Sequence, residues 1–231
     1  YKRQAILSAI IAGQMGFPVG RINLLVKSAI LHDIGALKLQ QLPDAEDLDD
    51  GTKEVVKKNT QETLDRYGDL DEEVLRLITQ MQELYTRESD AEIPAGLKES
   101  VNANILYVAD AYDRMTAMKS FEEPTSEVKA VRELLADEER YNKKIVNALI
   151  HGISILYPGV CVELSNGEKG LVITENEDNI FEPTVLDFRN NNLYDLSDPS
   201  VKQTIEIADV MKTMDNRIKL DKSLLEEYQA N

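Results

Sequence analysis

The chain of 231 residues has little with which to cross-link itself or enter a membrane. A single cysteine, Cys161, excludes an internal disulfide. A disulfide-free chain suits a reducing compartment, so a cytoplasmic location is expected. No apolar run approaches the roughly 20 residues that span a bilayer. Stretches such as Ala9–Ala12 are far shorter, so no membrane insertion is expected. No signal-like segment opens the chain, which starts at Tyr1 inside an apparent helix and reads as a fragment of a longer protein. Basic residues are scarce: 26 Lys and Arg stand against 42 Asp and Glu, a formal net charge of -16. Such a field repels phosphate backbones and anionic lipid, and nucleic acid is not an expected partner. The acidic stretch Asp44–Asp50 lacks the ordered carboxylate spacing of a calcium loop and reads as solvated. There are only two histidines, His32 and His151, and no internal repeat or low-complexity segment.

Apolar residues are plentiful, at 42%, enough for a sizeable core. Over residues 1–156 they recur at helical spacing. Ile22, Leu25, Val26, Ala29 and Ile30 mark one helix; Val74, Leu77, Ile78, Met81, Leu84 and Tyr85 mark a second. Val101, Ile105, Val108, Tyr112 and Met115 mark a third. Thr125 or Ser126 can cap a helix carrying Val128, Val131 and Leu134, and Tyr141, Ile145, Leu149 and Ile153 close the series. Gly16 with Pro18, Pro43 with Gly51, Gly68, and Pro94 with Gly96 are read as punctuation between helices. After Tyr157-Pro158-Gly159 the period changes to two. Val160, Val162 and Leu164 alternate with polar neighbours, and Asn166-Gly167 predicts a hairpin turn with two positive φ angles before Leu171–Ile173. Thr184–Phe188, Leu193–Leu196 and Gln203–Ile207 are further strand candidates, and Leu220–Gln229 a short helix. The expected fold is mainly α: a helical domain over 1–156, then a small antiparallel β module with a C-terminal helix over 157–231.

The most informative string is Ala29-Ile30-Leu31-His32-Asp33-Ile34-Gly35. On a continuing helix His32 lies three residues beyond Ala29, and Asp33 three beyond Ile30, so both extend the apolar side. A histidine and a carboxylate buried together must be hydrogen-bonded or metal-bound. Imidazole and carboxylate suit Zn, Fe or Mn, and the spacing alone leaves both readings open. A second feature is Val108-Ala109-Asp110-Ala111-Tyr112-Asp113. Asp110 lies opposite Val108, beside Ala103, Leu106 and Ala117, on a helix apolar nearly all round. A carboxylate there needs a partner.

In these strings and their order the chain resembles the HD-GYP domain, the branch of the HD superfamily that hydrolyses cyclic di-GMP in bacterial signalling. Leu31–Gly35 resembles the His-Asp doublet motif and Val108–Asp113 the second aspartate motif. Tyr141–His151 resembles the closing helix, and Ile153–Leu164 a tail often seen after it. The resemblance implies an HD-type helical bundle whose metals activate a water for attack on a phosphodiester, with His32, Asp33 and Asp110 among the ligands.

The same resemblance marks departures. Ala36 stands where the family has lysine, and Lys58-Asn59-Thr60-Gln61 replaces a His-Pro pair, with Asn59 at the ligand position. Met81 and Gln82 occupy the places of two further histidines, and Glu83 is retained. Thr86–Pro94 replaces the Gly-Tyr-Pro segment, with only Ile93-Pro94 similar to it. The family's first histidine would precede Tyr1. The resemblance therefore implies a degenerate member: a regulatory or protein-interaction module, with a cyclic dinucleotide or a signalling protein as partner and a homodimer as one assembly. The alternative is a phosphohydrolase with one weakly held divalent metal (Fe, Mn or Zn). A third reading is a helical adaptor with a purely structural His32-Asp33 pair. Arg114 and Lys119 are candidate cations for a nucleotide; His151 and Cys161 are read as structural.

Overall fold

The computed structural model describes residues 2–39, 49–67, 70–85, 93–118 and 123–211. The chain divides into two compact units, Tyr1–Thr125 with Ala130–Ile153, and Ser126–Lys129 with Ser154–Asn231.

The first unit is helical. Its elements are α1 (Lys2–Gln14), α2 (Val19–Leu31), a 3-10 turn (Ile34–Lys38), α3 (Asp50–Tyr67), α4 (Glu72–Tyr85), α5 (Ala95–Glu99), α6 (Val101–Thr116), α7 (Glu127–Ala136) and α8 (Lys143–Ile153). α6 is the central element: every residue from Ala103 to Tyr112 is buried, as its apolar circumference requires. α1 and α4 pack on it, and Ile11, Leu25, Ile78, Met81, Ile105 and Leu106 are almost wholly buried. Each such side chain stabilises the fold by about 1.5–3 kcal/mol.

Local chemistry sets the helix ends. Gly16 ends α1 at φ +72°, with its N–H on the Gly13 carbonyl and that of Phe17 on Ala12, the two bonds of a Schellman motif. Asp49 caps α3, accepting from the Thr52 N–H at 2.9 Å and the Thr52 hydroxyl at 2.7 Å. The Ser126 hydroxyl accepts from the Lys129 N–H at 3.3 Å, which identifies it as the cap of α7. Gly51 and Gly96 lie inside α3 and α5 rather than between helices. Tyr141 precedes α8 and stacks on Tyr107, ring centres 5.4 Å apart. Pro43, Gly68, most of the Asp44–Asp50 stretch and Leu220–Gln229 lie outside the described residues.

The second unit is a five-stranded antiparallel sheet in the order β4-β3-β2-β1-β5. Its strands are β1 (Cys161–Leu164), β2 (Lys169–Thr174), β3 (Thr184–Asp187), β4 (Leu193–Asp195) and β5 (Ile207–Val210); a single turn, α9 (Pro199–Lys202), precedes the last. The alternation of Val162 and Leu164 with Cys161 and Glu163 is realised, both apolar side chains being buried.

The hairpin differs from the two-residue turn expected. Gly167 has φ +81° but Asn166 is not in the left-handed region. The Gly167 N–H bonds to the Leu164 carbonyl, and the Leu164 N–H to that of Glu168. This is a three-residue loop, a turn followed by a left-handed glycine. Gln203–Ile207 is also corrected: only Ile207 of that stretch is strand, and β5 runs on to Val210.

Candidate functional site

The His32-Asp33 doublet sits where α2 stops. His32 is the last residue with helical dihedrals, and Asp33, at φ -125° and ψ 20°, starts the 3-10 turn. The two side chains therefore diverge in environment. His32 continues the face of Leu25 and Ala29 and is buried, as expected. Asp33 leaves the helical path, and a quarter of its side-chain surface remains exposed. His32 Nδ1 donates to the Ala29 carbonyl at 3.0 Å and lies 3.8 Å from Asp33 Oδ1. A carbonyl can only accept, so the proton is on Nδ1; in the neutral ring Nε2 carries the lone pair.

Two neighbours hold the doublet in place. The His32 carbonyl, an orphan acceptor at the helix end, receives the Gln82 side-chain N–H at 2.8 Å. The Gly35 N–H donates to the Thr60 hydroxyl at 3.0 Å. Gly35 approaches α3 so closely that a Cβ would stand 2.3 Å from both the Val56 carbonyl oxygen and the Thr60 nitrogen. Glycine is needed here for contact rather than for a positive φ.

Asp110 is buried on α6, and its Oδ2 lies 2.9 Å from Arg114 Nε one turn on. Asp113 pairs with Arg3 of α1 at 3.1 Å, and Arg3 also donates to the Thr116 carbonyl at 3.1 Å and to the Thr116 hydroxyl. The carboxylates share one electrostatic neighbourhood. Burial pushes the Asp33 carboxyl up; His32 opposes this and the Asp110 charge reinforces it. Burial likewise raises Asp113, with Arg3 opposing and Asp110 reinforcing. Asp110 and Asp113 each have a guanidinium partner, Arg114 and Arg3, while Asp33 lies beside the His32 ring.

The remaining sequence candidates have other surroundings. Met81 is fully buried in the core, and Gln82 is bonded to His32. Asn59 is half-buried, and its carbonyl accepts from the Thr63 hydroxyl at 2.6 Å and from Lys38 Nζ at 3.3 Å. Glu83 and His151 are exposed. Cys161 is half-buried, and burial pushes its thiol up, which disfavours the reactive thiolate. Lys119 and 86–92 of the replaced segment lie outside the described residues. Sequence reading missed Thr60 and Arg3. The glycine in the doublet motif hinted that a close neighbour exists; nothing local could pair Arg3 with a residue on another helix.

A metal centre can be tested against this geometry. His32 suits a ligand, because a ring held through Nδ1 presents Nε2. Asp110 and Asp113 do not, since each is matched to a guanidinium, and among the described residues no three His, Cys, Asp or Glu side chains are grouped to hold a metal ion. Among those residues, no helix is long and apolar enough to cross a membrane.

A comparison with curated proteins found no match. The family model described as HD domain matches residues 2–115, which span α1 to nearly the end of α6 and include His32, Asp33 and Asp110. HD domains typically bind divalent metals and suggest a superfamily of metal-dependent phosphohydrolases. The match thus supports the HD superfamily for residues 2–115, carried on a helical unit that a small antiparallel sheet follows.

Proposed function

We propose that the first unit is a non-catalytic HD-GYP-like module that regulates through binding, to a signalling protein or a cyclic dinucleotide. The observation that carries this reading is the use made of Met81 and Gln82. The family resemblance assigns those positions to metal-binding histidines. Here Met81 fills the core, and Gln82 ties α4 to the end of α2 through the His32 carbonyl. A thioether and an amide are also poor ligands for the Fe, Mn or Zn such chemistry uses. The HD framework is thereby retained as architecture. One feature favours a second reading, a phosphohydrolase with a single metal: the His32 ring is held through Nδ1 as metal-ligating histidines commonly are.

The experiment is turnover of cyclic di-GMP with Mn²⁺ or Fe²⁺, followed by chromatography, beside a calorimetric titration of the nucleotide. Hydrolysis no faster than that of His32→Ala is expected. Turnover clearly above that control would overturn the reading in favour of the enzyme. Binding without turnover identifies the nucleotide as the regulatory ligand.

A further inference from the structure

We infer that Arg114 takes the place of a metal ion at Asp110: its guanidinium is the resident cation of the site, so this carboxylate is charge-balanced without a metal. The inference deepens the non-catalytic reading and rests on it. Asp110 has only 12% of its side-chain surface exposed, and a carboxylate so placed requires a counter-charge. Arg114 lies on the same helix, one turn on, with Nε 2.9 Å from Oδ2. That spacing brings the side chains together on one face of α6, so the pair needs no other element to assemble it. Arg114 is also in the last turn of α6, where the helix dipole favours a cation. The neighbouring Asp113 is matched in the same way, by Arg3 at 3.1 Å. A divalent ion beside Asp110 would have to displace the guanidinium and be repelled by it. Arg114 is thus a positioning residue that acts through Asp110.

The test uses the full chain and reads metal content and thermal melting. The wild type is expected to carry well under one equivalent of Mn, Fe or Zn and to melt at the same temperature in EDTA and in 1 mM Mn²⁺. Arg114→Gln strands the Asp110 charge and should lower the melting temperature by about 5 °C or more. Asp110→Asn in that background should recover at least half of the loss. Arg114→Lys, which keeps the charge, should stay close to wild type and remains informative if the glutamine variant does not fold. An equal loss with and without the added Asp110→Asn change would show that Arg114 acts through packing and would overturn the inference. So would a stoichiometric metal in the wild type, whether or not nucleotide is hydrolysed. Turnover without bound metal would instead defeat the non-catalytic reading alone.

Discussion

Replacing Gly35 with alanine probes how the doublet is anchored. The added Cβ would lie 2.3 Å from the Val56 carbonyl oxygen and the Thr60 nitrogen, and 2.6 Å from the Thr60 hydroxyl. Real Cβ atoms essentially never approach closer than 3.0 Å, so the main chain of α3 or of the turn must retreat by about 0.7 Å or more. Main chain in a packed helix cannot swing aside as a side-chain tip can. Overpacking of this kind costs about 1–3 kcal/mol. The retreat also stretches the 3.0 Å bond from the Gly35 N–H to the Thr60 hydroxyl past bonding range. A buried donor left unpaired costs about 1–3 kcal/mol more. A total near 3 kcal/mol corresponds to about 6–12 °C in melting temperature for a chain of this size. Hydrogen exchange read by mass spectrometry should localise the loss to α3, with faster exchange across Asp50–Tyr67. Thr60→Val, which removes only the acceptor, should lose about 1–3 kcal/mol, and Thr60→Ser should stay near wild type. A Gly35→Ala protein that melts within about 1 °C of wild type, with unchanged exchange in α3, would refute the close approach.

Other perturbations follow from the same contacts. Gln82→Leu leaves the His32 carbonyl without its side-chain donor and should destabilise the helical unit by about 1–3 kcal/mol, measured by urea unfolding; no loss would show that water replaces the amide. In the second unit Asp187 and Glu168 are electrostatic neighbours, and the Arg189 guanidinium holds Glu168. Burial, then Glu168, pushes the Asp187 carboxyl up, while Arg189 holds Glu168 below its ordinary range. A raised folded value means this contribution is complete below the ordinary range of aspartate, about 3.9, and is lost as pH rises through the folded value. Asp187→Asn carries no charge at any pH, so its stability relative to wild type should improve as pH rises from about 4. A difference in melting temperature that does not vary with pH would contradict the raised Asp187 carboxyl.

The sequence was most informative where one element decides its own structure. The stripe Val74, Leu77, Ile78, Met81 and Leu84 is buried as its spacing implies, and the all-round apolar α6 is the buried centre of its unit. The doublet was legible as a motif but only half legible as geometry. Helical periodicity puts Asp33 on a face that the chain has already left, because α2 stops one residue earlier. Turn type is not legible locally because Asn-Gly fits both a two-residue and a three-residue loop; the pairing of Leu164 with Glu168 decides between them. The partners of the carboxylates were least legible. Arg114 follows Asp110 at helical spacing and was noted only as a nearby cation, while Arg3 meets Asp113 through the packing of α1 on α6.

The most direct test of the account is the metal content of the purified full chain, measured by plasma mass spectrometry after growth with Mn, Fe and Zn supplied. A site in which Arg114 and Arg3 match Asp110 and Asp113 predicts well under one equivalent of any of the three. One or more equivalents, lost in both His32→Ala and Asp110→Ala, would contradict it.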